Sequence, residues 1–211
     1  MIPTETILSP AYDNKIARKF SLKTLEHKMQ NKLALQEELG WIAEPKQPII
    51  CLPAGMTDEL GGKLMEEVVP GVLELSVGLV IRGKGSSRYG QMFTDLSKKM
   101  GFKVKIVGDT DLSQRKMLAG SDMALLFSAP DGNAEVENAL RYGVIPIALP
   151  GLLLENYNPV QESGNAFVYE EATKWQCFAA LVRALETFKF PYDWRTIQRH
   201  AMESVEKSEE Q

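Results

Sequence analysis

Six short apolar runs, each closed by a turn residue and separated from the next by a helix-length segment, leave this chain few folds to adopt. The runs are Pro48-Ile49-Ile50-Cys51-Leu52-Pro53, Val77-Gly78-Leu79-Val80-Ile81, Lys103-Val104-Lys105-Ile106-Val107, Met123-Ala124-Leu125-Leu126-Phe127, Val144-Ile145-Pro146-Ile147-Ala148-Leu149 and Ala166-Phe167-Val168-Tyr169. Each has strand length, and most are apolar throughout rather than alternating, as strands buried on both faces are. Helical spacing fills the intervals: residues 58–69, 89–100, 112–119 and 134–142, then 175–188 and 194–205 after the last run. A longer helix is expected over 21–40, with Ser21 as its N-cap and Gly40 as its stop. Strands joined by crossover helices make a parallel, doubly wound α/β sheet, so the expected fold is a single Rossmann-like domain. The expected organisation is a linker over 1–20, the Rossmann-like domain over 21–192, and a C-terminal helix with an acidic tail over 193–211.

Charge and composition narrow the function classes. With 24 basic and 28 acidic residues the net charge is −4, which argues against a nucleic-acid surface, since phosphate backbones select clustered Lys and Arg. The apolar runs are too short to span a membrane, and Met1-Ile2-Pro3-Thr4-Glu5 lacks the basic and apolar regions of a signal peptide. Cys51 and Cys177 lie in apolar stretches without CxxC spacing and read as core thiols of a cytoplasmic protein. No zinc pattern, GxSxG elbow or Ser/His/Asp set is present, so no metal, no cofactor and no catalytic side chain is expected. Trp41, Trp175 and Trp194 stand at element ends and read as packing anchors.

In a doubly wound sheet ligands bind beyond the carboxyl ends of the strands, which directs attention to the loops there. After Ile81 stand Gly83, Lys84 and Gly85. Glycines at that place let backbone N–H groups approach an anion, and they serve a tight turn equally well. After Phe127 come Ser128, Ala129, Pro130, Asp131, Gly132, Asn133, Ala134 and Glu135, small and polar residues opening a helix whose N–H groups could meet a diphosphate. Glu135 and Glu137 in its first turn would also stabilise a helix with no ligand at all. The loop after Leu52, which contains Gly55, carries no cation, and Lys63 beyond it reads as solvent-facing.

Several collinear stretches resemble the C-terminal half of the bacterial glycogen synthases and plant starch synthases, glycosyltransferases of the GT-B fold. They are Pro10-x-x-Asp13-x-x-Ile16-x-x-x-Phe20-Ser21 with Lys28-x-x-Asn31-Lys32-x-x-Leu35-Gln36-x-x-x-Gly40, then Gly83-x-Gly85 with Tyr89 and Phe93. They continue with Ala119-Gly120-Ser121-Asp122-Met123-Ala124-Leu125 and Ser128, Ala139-Leu140-Arg141-Tyr142-Gly143-Val144-Ile145-Pro146-Ile147, and Trp194-x-x-Ile197-x-x-x-Ala201-Met202. The resemblance implies one half of a GT-B enzyme that moves glucose from ADP-glucose to an α-1,4-glucan. It also implies candidate nucleotide-sugar contacts at Gly55, Gly83, Lys84, Gly85, Ser128, Asp131, Asn133, Ala134 and Glu135. The family's diphosphate-holding Arg and Lys fall on Gly55 and Leu60, its following Gly on Gly61, and its sugar-contacting Glu on Pro130, with Asp131 one residue away. The implied partners are therefore ADP or ADP-glucose held weakly, and a glucan or an N-terminal GT-B half. The chain is expected to be incomplete alone, as a donor-side domain or as a non-catalytic interaction module that kept the scaffold. Gly55→Arg with Leu60→Lys is expected to strengthen ADP binding.

Overall fold

In the computed structural model, which describes residues 9–209, six parallel strands form one sheet in the order β3-β2-β1-β4-β5-β6. They are β1 (Ile49–Leu52), β2 (Gly78–Arg82), β3 (Val104–Val107), β4 (Met123–Leu125), β5 (Ile145–Ala148) and β6 (Phe167–Val168). The chain runs outward from β1 to the β3 edge, crosses back, and continues from β4 to β6. The strand order thus reverses between β1 and β4, which pair through Ile50–Met123 and Cys51–Ala124. The expected doubly wound parallel sheet is present. Every residue of β1, β4 and β5 is buried, whereas in β3, at the edge of the sheet, only Val104 is.

Seven helices connect and cover the sheet: α1 (Lys28–Glu38), α2 (Gly62–Glu74), α3 (Ser87–Lys99), α4 (Asp111–Gly120), α5 (Ala134–Arg141), α6 (Lys174–Phe188) and α7 (Pro191–Glu209). Helix α1 packs on α4 and α5 on α7, while α2 packs on α6. Three helices have side-chain N-caps: Thr110 for α4, Asn133 for α5 and Thr173 for α6. Those hydroxyl and amide oxygens satisfy N–H groups that have no partner inside the helix.

Three differences from the sequence reading have physical causes. The first helix starts at Lys28 after a 3-10 turn over Leu25–His27, because Thr24 Oγ1 accepts from the Ser21 N–H (3.0 Å) and closes a local turn where a cap was expected. Helix α2 begins at Gly62 and runs through Pro70, so the glycine pair forms its start; Gly61, with φ +84°, is its left-handed N-cap. Trp175 is 74% exposed with the Lys174 ammonium 4.8 Å from its ring centroid, so it anchors no packing, unlike the buried Trp41 and Trp194.

The segment before α1 is held to the core by polar contacts. Asp13 is fully buried, accepts from the Tyr142 hydroxyl (2.6 Å), and lies 3.4 Å from Arg115 Nη1. The Lys28 ammonium donates to the carbonyls of Leu118 and Ala119 (2.9 and 3.0 Å), binding α1 to the end of α4. Asp122 accepts from the Ile49 N–H (2.8 Å) and pairs with Lys32 (2.8 Å), fixing the amino ends of β4 and β1 to α1. The spacing of Asp13, Ile16, Phe20, Lys28, Asn31, Lys32, Leu35 and Gln36 is therefore a docking pattern, since all eight are buried. Of the proposed 1–20 and 193–211 segments, residues 1–8 and 210–211 lie outside the described residues.

Both cysteines are free and buried, and burial raises each thiol to about 12, so neither is poised as a nucleophile. Among the described residues no helix is long and apolar enough to cross a membrane.

Candidate functional site

In a doubly wound sheet the ligand crevice forms at the carboxyl ends where the strand order reverses, here between β1 and β4, and one polar network spans that place. Arg82, the last residue of β2, donates from Nε to Asp109 Oδ1 (2.7 Å) and from Nη1 to the Pro53 carbonyl (3.2 Å) and the Glu135 carboxylate. The other Glu135 oxygen accepts from Gln114 Nε2 on α4. Five segments meet here: the loops after β1 and β3, the end of β2, and the N-terminal turns of α4 and α5. The Arg82 and Glu135 side chains are 11% and 15% exposed, so the pair works in a partly dry setting. Its Nη2 donors make no hydrogen bond to the described residues.

Arg82 was not singled out in the sequence, because an Arg ending an apolar strand reads as a solvent-facing terminus. Glu135 was singled out, and its position follows from the cap. Asn133 Oδ1 accepts from the Glu135 N–H (2.9 Å), which starts α5 and turns the Glu135 side chain into the network.

The glycines do different work. Gly55 and Gly85 have φ of +75° and +133°, and the loops after β1 and β2 clasp backbone to backbone. Met56 N–H donates to Lys84 O and Ser86 N–H to Met56 O, both at 3.0 Å. A Cβ at Gly85 would lie 1.9 Å from Met56 O, and one at Gly55 would lie 2.4 Å from Lys84 O. Gly83 and Lys84 spend their own N–H groups on Val107 O and Arg82 O (both 2.8 Å). Gly55→Arg, expected from the sequence to restore a cation, would therefore break this clasp. Arg82, Gly83, Lys84 and Gly85 border a cavity of about 350 Å³ reaching toward Tyr89 and Phe93.

The remaining candidates lie across the crevice. Phe127 O closes on Gly61, where a Cβ would sit 2.3 Å from it, so the loops after β1 and β4 also touch. Asp131 is exposed and accepts from the Leu152 N–H (2.8 Å), bracing the loop after β4 against the loop after β5. Ser128 is half-buried and Ala134 exposed at the start of α5. Leu60, where the resemblance places a Lys, is half-buried, and Lys63 is exposed as expected. Chemically, the crevice offers one guanidinium already facing two carboxylates, beside the N-terminus of α5.

No family model matches the chain. It is 35% identical over 204 residues to the glycogen synthase of Clostridium perfringens, covering 93% of this chain and 42% of that protein. It is 33% identical over 202 residues to the glycogen synthase of Fervidobacterium nodosum, covering 92% and 41%. The chain thus spans well under half the length of these curated relatives. Among solved structures it resembles the catalytic domain of starch synthase IV from Arabidopsis thaliana bound to ADP and acarbose, with a TM-score of 0.75, 23% identity, and 96% of this chain and 45% of that one covered. It also resembles HepE of Anabaena in complex with UDP and glucose, with a TM-score of 0.63, 14% identity, and 84% and 48% covered.

Proposed function

Because the chain is a homologue of the C-terminal half of the glycogen synthases, with the α/β architecture of a GT-B glycosyltransferase domain, we propose that it is a donor-side domain binding a nucleoside diphosphate or its sugar in the crevice at the strand reversal. The observation that carries the reading is the Arg82–Glu135 contact across the reversal, which puts a cation where a doubly wound sheet receives its ligand. The ligand is ADP-glucose or ADP, and the reaction of the parent family is glucosyl transfer to an α-1,4-glucan. Gly55, Gly83, Lys84, Gly85, Ser128, Asp131, Asn133, Ala134 and Glu135 border the site, with Arg82 as its principal cation.

Affinity is low in this reading. A diphosphate entering the crevice competes with Glu135 for Arg82, and the cations expected at 55 and 60 are a glycine and a leucine. Losing two charge-assisted hydrogen bonds, each worth about 1.5–3 kcal/mol, turns micromolar binding into millimolar. The same depletion favours the second reading, a non-catalytic module that kept the scaffold to engage a glucan or an N-terminal GT-B half.

Glu135→Gln separates a competing carboxylate from a merely structural one. The amide keeps a partner for Gln114 but releases the charge that holds Arg82. ADP affinity measured by calorimetry should rise about tenfold, the effect of about 1.4 kcal/mol. Unchanged or weaker binding would remove Glu135 and Arg82 from the site.

A further inference from the structure

A guanidinium carries five N–H donors, and at Arg82 the described residues use three of them: Nε meets Asp109, while Nη1 meets the Pro53 carbonyl and Glu135. Both donors of Nη2 are left over. In a planar guanidinium Nη2 shares an edge with Nε, so a carboxylate can take both as a bidentate pair. Asp109 takes only one. Its Oδ1 accepts from Nε (2.7 Å), and its Oδ2 makes no hydrogen bond to the described residues. An open donor therefore stands beside an open acceptor on one edge of one guanidinium.

A solute can reach both atoms. The Asp109 side chain is 41% exposed in the loop between β3 and α4, and Arg82 Nη2 is not among the partnerless polar atoms that the fold seals from solvent. The loop is fixed on its far side, where Thr110 Oγ1 accepts from the Ser113 N–H (3.1 Å) as the N-cap of α4. A bare phosphate satisfies only half of this edge, because its oxygens accept from Nη2 but repel Asp109 Oδ2. What complements the whole edge is an anion that carries hydroxyl donors a few bonds away.

We propose that Asp109 reads hydroxyl groups in the crevice, its Oδ2 accepting from a vicinal hydroxyl pair linked to the phosphate that Arg82 Nη2 holds. The inference rests on the nucleotide reading above and narrows it: the ligand is a diphosphate ester of a polyol, and inorganic anions are poor substitutes. A nucleotide sugar carries such hydroxyls in two places, the ribose and the transferred sugar. A strand-end carboxylate receiving ribose hydroxyls is a recurring solution in doubly wound sheets. Asp109 would thus have two tasks, orienting Arg82 with one oxygen and selecting the ligand with the other.

Calorimetry on the Glu135→Gln protein, with and without Asp109→Ala, tests this with ADP, 2′,3′-dideoxy-ADP, ADP-glucose and pyrophosphate. With Asp109 in place, losing both ribose hydroxyls should weaken binding about fivefold; with Asp109→Ala, ADP and dideoxy-ADP should bind within about twofold of each other. If the transferred sugar supplies the hydroxyls, ADP-glucose should instead bind about fivefold more tightly than ADP, and the alanine variant should lose that preference. Pyrophosphate should bind the alanine variant at least as tightly, since a competing carboxylate has gone, and this marks the fold and the anion half as intact. Asp109→Ala leaving both preferences as they were, or no preference in either protein, would overturn the proposal and leave Asp109 as a brace for Arg82. No binding of any nucleotide with Asp109 in place would overturn the nucleotide reading itself, and this inference with it.

Discussion

Arg82→Gln should lower the unfolding free energy by about 2–3 kcal/mol, because removing one partner of a partly buried ion pair strands the other. Glu135 would keep its charge at 15% side-chain exposure with Gln114 alone to meet it, and the Pro53 carbonyl would lose its donor. Adding Glu135→Gln to that variant removes the stranded carboxylate. The double variant should recover most of the lost stability, with a coupling of at least about 1 kcal/mol in a double-mutant cycle. Urea denaturation of the four proteins checks this. Additive effects would mean that Arg82 and Glu135 are neighbours without an energetic bond.

The second large effect belongs to Gly61. An alanine there meets two penalties: a left-handed backbone at φ +84°, and a Cβ 2.3 Å from Phe127 O and 2.6 Å from Phe127 Cβ. The conformational cost alone is about 1 kcal/mol, and the collision forces apart the loops after β1 and β4. A loss of about 3 kcal/mol or more is expected, lowering the melting temperature by about 10 °C for a chain of this size. Gly132→Ala is the matched control, since Gly132 has φ +73° and nothing within 4 Å of its Cβ position. It should lose only the conformational part, about 1 kcal/mol. Equal losses at 61 and 132 would show that the approach to Phe127 is not tight.

These two residues mark what the sequence could and could not disclose. The sheet was legible because Ile49–Leu52, Gly78–Ile81 and Ile145–Ala148 are apolar on both faces, and only a covered parallel sheet buries such strands. Gly61 and Gly62 read as flaws inside a helix, because a left-handed N-cap is chosen by the Phe127 carbonyl, 66 residues onward, and no local pattern records it. Gly83 and Gly85 were legible as glycines with a backbone purpose, but the partner proved to be the loop after β1. Glu135 could be named from its place in a first turn. Arg82 could not, because its meeting with Glu135 depends on the strand order, which sets the end of β2 beside β1 and the start of α5. A charged residue closing an otherwise apolar strand next to the reversal is the signal that would have found it.

The crevice account places nucleotide binding on Arg82, in a site short of cations. Calorimetric titration of ADP into the wild-type chain and into the Arg82→Gln/Glu135→Gln pair tests this most directly, because the pair keeps the fold while removing the guanidinium. The wild type should bind saturably with a dissociation constant of about 0.3–3 mM, and the double variant should show no saturation. A wild-type constant below about 100 μM, or the same affinity in both proteins, would contradict the account.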